Sequence, residues 1–290
     1  YYRSFDANYD GILQNIQCFR SGAKIVIDSI EVIPMHVDHS IPGAYGFIVD
    51  TGEGIVVYTG DLRWHGVPRL TNDFVKYISE KIGHVDVLIT ETTHIDYSGY
   101  TSEEVKQKVG ELLNRFDRNI LVDFSRTDYD RFYSFLCVAR EKDQFLLIDI
   151  TRWIYLYYIA QCPGLEKAFS LDAPNILVYI NKSRFSRSIK PLILSLIDKH
   201  PESFLVCDDI KQKIGSGELG DRLRNLKTVS DFLLDMKARK KRAIITVPSW
   251  NPEDIAKIIG MGDIYILASS EPIGEESEIS FERLRNWLEL

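Results

Sequence analysis

A chain of 290 residues can bury one large core or two ordinary ones. Its 45% hydrophobic and 27% charged residues fit a soluble globular protein, and a formal net charge of −7 excludes a broadly basic nucleic-acid coat while allowing a local basic groove. No run approaches the roughly 18 apolar residues that span a bilayer, and Cys18, Cys137, Cys162 and Cys207 form no Cys-x-x-Cys pair, so reduced thiols in a cytoplasmic protein without a membrane partner are expected.

From Ala23 onward, short β-branched runs bounded by Gly, Pro, Asp or Asn predict strands. KIVIDSIEVIPM, GFIVD, GIVVYT and VDVLIT come first and follow one another directly. The Gly-bearing connector in GFIVD-TGEG-IVVYTGD marks a β-hairpin. The polar stretch DYSGYTS then leads into TSEEVKQKVGELLNRF, a predicted helix with Thr101 as N-cap and Glu104 at the capping-box position. Beyond it, NILVDF, FLLIDI, NILVYI, SFLVCD, RAIITVP and DIYILAS read as buried strands. RTDYDRFYSFLCVAREK, SRSIKPLILSLIDKH and SFERLRNWLEL read as helices. This alternation predicts a mostly parallel sheet covered by helices. The expected organisation is an α/β chain in two units, 1–97 and 98–290.

Three strand-end residues carry the chemistry. His39 lies just before the first hairpin strand and Asp61 just after the second. An antiparallel hairpin returns to the end where it began, so these two side chains should meet. Glu91 follows the hydrophobic strand VDVLIT, at the kind of strand end where catalytic groups of α/β folds lie. One imidazole and two carboxylates suit a divalent metal of hard to borderline character.

The segment VIPMHVDHSIPGAYGFIVDTGEGIVVYTGDLRWHG resembles the β-CASP branch of the metallo-β-lactamase-fold nucleases, which includes ribonuclease J and the metal-dependent 3′-end processing endonucleases. DIYILASSEPIGEESEISFERLRNWLEL looks like the late part of a β-CASP insertion. The resemblance implies a partial αββα sandwich followed by a β-CASP α/β domain. His39 then matches the third motif, a lone His ligand. Asp61 matches the fourth, an Asp that bridges two metals. Glu91, in LITETTHID, matches the acidic residue that opens the insertion and orients a downstream His. PMHVDHS is one residue from the family's His-x-His-x-Asp-His motif, with Pro34 in place of the first His. A spacing of 22 residues to Asp61 suits the step from third to fourth motif instead. His39 is therefore read as the ligand and His36 as a bystander. The first motif is expected upstream of Tyr1 and the two later His motifs downstream of Leu290, so this chain carries only part of the site.

The implied activity is that of a metal-dependent phosphodiester hydrolase, a ribonuclease using a dinuclear zinc-activated hydroxide, with manganese as the alternative metal. Single-stranded RNA is the expected partner, and a homo-oligomer is left open. Ser125, Arg126 and Arg131, in DFSRTDYDR, follow a strand end and are candidates for contact with an RNA phosphate. A DNA nuclease and a non-catalytic RNA-binding or complex-forming subunit of the same fold are the alternatives. His65 and His94 read as loop residues, and His84 and His200 as surface residues at helix ends. GSGELG spells a dinucleotide loop, but DIKQKI separates it from the strand before it, so a surface loop is expected. KARKKR reads as a solvated helix end.

Overall fold

The apolar runs at the start of the chain pair in sequence order. A computed structural model describes residues 18–64, 66, 69–92, 100–160, 175–182, 185–187, 189–247, 256, 258, 263–268 and 275–289. The chain divides into two units, Tyr1–His39 with Gly43–Ser98 and Ser40–Pro42 with Gly99–Leu290.

In the first unit, β1 (Ile25–Ile27), β2 (Ile30–His36), β3 (Tyr45–Asp50) and β4 (Ile55–Tyr58) form successive antiparallel pairs, and β5 (Val87–Ile89) adds in parallel to β4. The run KIVIDSIEVIPM thus holds two strands, folded back at Asp28, whose φ of 55° is left-handed. Between β3 and β4 the Thr51 N–H donates to Gly54 O at 3.1 Å, and the Gly52 N–H donates to Asp50 Oδ1 at 2.8 Å. The register sets Ile33, Ile48 and Val57 side by side on one face of the sheet. That face packs on Phe74 of helix α1 (Leu70–Tyr77), which runs on into a wider π turn at Ile78–Ile82. Gly46 permits the approach, because an added Cβ would lie 2.7 Å from the Phe74 ring. The opposite face carries Ile25, Val32, Phe47, Val49 and Tyr58, which with Phe19 line an apolar groove of about 550 Å³.

In the second unit, seven parallel strands lie in the order β10-β9-β8-β7-β11-β6-β12. They are β6 (Ile120–Asp123), β7 (Phe145–Asp149), β8 (Ile176–Ile180), β9 (Phe204–Val206), β10 (Lys227–Thr228), β11 (Ala243–Val247) and β12 (Ile264–Leu267). Every residue of β6, β8, β9 and β11 is buried, as expected of a parallel sheet covered on both faces. The helices are α2 (Ser102–Arg115), α3 (Tyr129–Glu141), α4 (Ile150–Ile159), α5 (Lys190–Lys199), α6 (Asp208–Gln212), α7 (Glu218–Asn225), α8 (Val229–Ala238) and α9 (Glu275–Leu288). At the start of α2, Thr101 Oγ1 accepts from the Glu104 N–H, and the Thr101 N–H donates to Glu104 Oε2 at 2.8 Å, completing the expected capping box. From β6 the chain steps past the slot later filled by β11, and then winds outward through β7, β8, β9 and β10. It returns to fill the slot with β11 and ends the sheet with β12 on the far side of β6. Strand connections therefore leave the neighbouring strands β6 and β11 in opposite directions, and the C-terminal edge near such a reversal is where α/β sheets bind ligands.

GSGELG is not wholly a loop. Gly217 caps α7 at φ 122°, and Gly220 lies inside the helix against Gly215 O. The basic run KARKKR is only partly solvated, since Lys241 pairs with Asp143 and Arg242 donates to the carbonyls of Leu113 and Phe116. No helix of the described residues is long and apolar enough to cross a membrane.

Candidate functional site

His39 stands in the connection from β2 to β3, and Asp61 lies three residues past β4. The hairpin brings them together: His39 Nε2 lies 4.0 Å from Asp61 Oδ2. Two glycines make the approach feasible. Gly60 has φ 59°, and an added Cβ there would lie 2.6 Å from Tyr45 O, so the turn presenting Asp61 requires glycine. Gly66 packs against the Asp38 side chain with no room for a Cβ.

The loop after β4 is held from two sides. Glu91, at the end of the stretch that follows β5, accepts the Leu62 N–H on Oε1 at 2.6 Å. The Thr59 N–H donates to Ile89 O at 3.0 Å. On the other side Asp38 is fully buried. Its carbonyl accepts the Arg63 N–H at 2.7 Å, its own N–H donates to Thr71 Oγ1 at 2.9 Å, and its Oδ2 accepts the Thr71 N–H at 2.9 Å. Asp38 therefore clamps both metal-ligand candidates to the start of α1. Reading the sequence for ligands passed over Asp38; its position between Val37 and His39, next to a buried strand end, was the available signal. His36 stacks on Tyr45 with ring centroids 4.2 Å apart, and burial holds its pKa below the ordinary histidine value.

The His39–Asp61 pair suits shared coordination. Two donors bound tetrahedrally to one zinc at about 2.0–2.2 Å sit roughly 3.4 Å apart, close to the observed 4.0 Å. The Asp61 side chain is 71% exposed, which leaves its carboxylate open to an incoming ion. One nitrogen and one carboxylate suit zinc or manganese. Among the described residues no group of three or more His, Cys, Asp or Glu could hold one ion, and the pair alone falls short of the three or four protein ligands that zinc takes. His65 and His94 lie outside the described residues. His84 and His200 are surface residues paired with Asp86 and Glu202.

The other candidates belong to the second unit, on the loop after β6. Ser125 and Arg126 are exposed, and Ser125 Oγ shares a hydrogen with Thr127 Oγ1 at 2.8 Å. Arg131 sits in the first turn of α3, where its N–H donates to the capping Asp128 at 3.1 Å. Its Nε and Nη1 are buried, which leaves Ser125 and Arg126 as the solvent-facing pair of the three. Beneath them lies Arg152, with no exposed side-chain surface. It donates to Ser125 O at 3.1 Å and Phe124 O at 3.0 Å, lies 3.9 Å from the Phe124 ring centroid, and pairs with Asp149 at 3.5 Å. Asp149 also caps α4 by accepting the Thr151 and Arg152 N–H groups. Lys182, two residues past β8, donates to Thr151 Oγ1 at 3.0 Å. Sequence reading missed this lysine, although NILVYINK places it at a strand end like those of Asp123 and Asp149.

No family model matches the chain. Among solved structures it is similar to a crystal structure of a protein of unknown function from Enterococcus faecalis V583, with a TM-score of 0.58 and 17% identity. The match covers 94% of this chain and 54% of that one, so this chain spans about half the length of that structure. At this identity the likeness concerns the fold.

Proposed function

We propose that this chain is part of a metal-dependent phosphodiester hydrolase of the metallo-β-lactamase fold and β-CASP type, acting on single-stranded RNA. The observation that carries the reading is the convergence of His39 and Asp61 from opposite ends of one hairpin to 4.0 Å. In this reading His39 and Asp61 hold part of a zinc or manganese centre. Bound metal of that kind lowers the pKa of a coordinated water and neutralises charge on a phosphoryl group. Glu91 fixes the loop bearing Asp61 through the Leu62 N–H, and so sets where the carboxylate points. Ser125 and Arg126 supply polar and cationic groups to substrate phosphates. The first unit is taken as half of an αββα sandwich, which the apolar, partly exposed second face of its sheet supports.

The test is metal analysis and cleavage of single-stranded RNA by a longer polypeptide containing this chain, beside its Asp61→Asn variant. Metal-dependent cleavage that is lost in the variant is the expected result. Cleavage unchanged by Asp61→Asn would overturn the reading. A non-catalytic RNA-binding subunit is the second reading, favoured by the absence among the described residues of any group of three or more His, Cys, Asp or Glu that could hold a metal ion. It predicts RNA binding without metal-dependent cleavage in the same polypeptide.

A further inference from the structure

We propose that Lys182 and Arg126, with Ser125 beside them, form a phosphate-binding subsite at the C-terminal edge of the seven-stranded sheet, holding one backbone phosphate of a single-stranded nucleic acid. The proposal rests on the RNA reading above and extends it to Lys182, which no motif indicated. Three connections meet there. Ser125 and Arg126 follow β6, Thr151 opens α4 after β7, and Lys182 follows β8. Buried Arg152 ties the first to the second through Ser125 O and Phe124 O, and Lys182 is tied to the second through Thr151 Oγ1. The subsite therefore has a rigid floor.

Asp149, the carboxylate that acts on Lys182, is already engaged by two backbone N–H groups and by Arg152. Neither Arg126 nor Lys182 has an ion-pair partner among the described residues. The Lys182 ammonium is half-buried, and burial, the largest cause, pulls its pKa below the usual lysine value; attraction to Asp149 comes next and opposes this, and repulsion from Arg126 adds a smaller push downward. Two cations that repel each other, one of them half-buried, are relieved by an oxyanion between them. Exposed hydroxyls at Ser125 and Thr127 add donors suited to a tetrahedral phosphate. By contrast, KARKKR, the densest basic run of the sequence, has two of its cations engaged internally.

The experiment is lysine acetylation footprinting of the full chain, read by mass spectrometry without added metal. It is run alone, with inorganic phosphate, and with a single-stranded oligouridylate. The expected result is selective slowing of acetylation at Lys182 by the oligouridylate, with exposed Lys237 of α8 unaffected. In parallel, Lys182→Ala should weaken oligouridylate binding and flatten its dependence on log salt by about 0.7, the value of one single-strand phosphate contact. Lys182→Arg should restore most of the binding. Equal protection of Lys182 and Lys237, or none, overturns the subsite, as does protection by inorganic phosphate alone. Should Lys182→Ala fail to fold, the footprint on the unmutated chain decides. Because no metal is added, loss of the subsite leaves the nuclease reading standing. Failure of RNA cleavage in the longer polypeptide leaves the subsite standing.

Discussion

Two aspartates near one another in the first unit have opposite roles, and exposure separates them. Asp38 is fully buried, with its carboxylate engaged by the Thr71 N–H, whereas the Asp61 side chain is mostly exposed. Asp38→Ala leaves a buried N–H without its acceptor and should cost about 1–3 kcal/mol of stability. Asp61→Asn should change stability by no more than about 0.5 kcal/mol, as exposed substitutions do. Urea unfolding of the two variants measures both, and equal destabilisation would refute the division of roles. His36 gives a pH test. Burial against Tyr45 holds its folded pKa below the unfolded value, so the unfolded chain binds the proton more readily. Stability should therefore fall as pH drops below about 6.5, the unfolded value, and the loss is complete once pH passes the folded pKa. His36→Phe should flatten this part of the pH–stability profile, which urea midpoints between neutral and mildly acidic pH would reveal. The approach of His39 to Asp61 could be read from the sequence because a hairpin constrains both ends at once. The contacts of Asp38 and Lys182 could not, because their partners Thr71 and Thr151 lie 33 and 31 positions away.

Elements were legible where local chemistry was complete. Each β-branched run named above contains a strand of the structure, and the capping box at Thr101 begins a helix as expected. Helix α4 was not legible, because ITRWIYLYYI is rich in the β-branched and aromatic residues that favour strands. Its buried Ile150, Trp153, Leu156 and Ile159 nevertheless recur every three residues, a helical spacing hidden within apolar composition. Helix α1 gave no start signal either, since Arg69 precedes it in a left-handed conformation without a side-chain cap. Strand β10 has two residues and owes its place to pairing with β9. The stability of α4 turns on Asp149, which both caps the helix and faces buried Arg152. Asp149→Ala removes the cap and leaves a guanidinium buried without its counter-charge. A loss of about 3–5 kcal/mol is expected, as for a broken buried ion pair. Chemical denaturation followed by circular dichroism would measure it, and a loss under 1 kcal/mol would show that Arg152 relaxes to solvent.

For the whole molecule, the two units differ in how far their sheets are covered. In the second, strands such as β6 and β11 are buried along their full length. In the first, Ile27, Tyr58, Val87 and Ile89 are exposed on the face away from Phe74, while Val26 and Leu88 of the two edge strands are exposed on the other. The sequence could not show this difference, because buried and open strands share the same β-branched composition. Large apolar faces on an otherwise ordinary surface mark contact with another layer of protein, which is the role the sandwich reading assigns to this one. The exposure itself can be measured. Anilinonaphthalene sulfonate binds accessible apolar surface, so the chain should bind it under native conditions, before any unfolding transition. Val49→Lys places a charge among Val32, Phe47 and Tyr58 and should abolish most of that fluorescence. Because the groove is open, the lysine can reach water, and the urea midpoint should move little. Weak fluorescence in the unmutated chain together with a large stability loss in Val49→Lys would mean that the face is already covered within this chain. The half-sandwich reading of the first unit would then have to be abandoned.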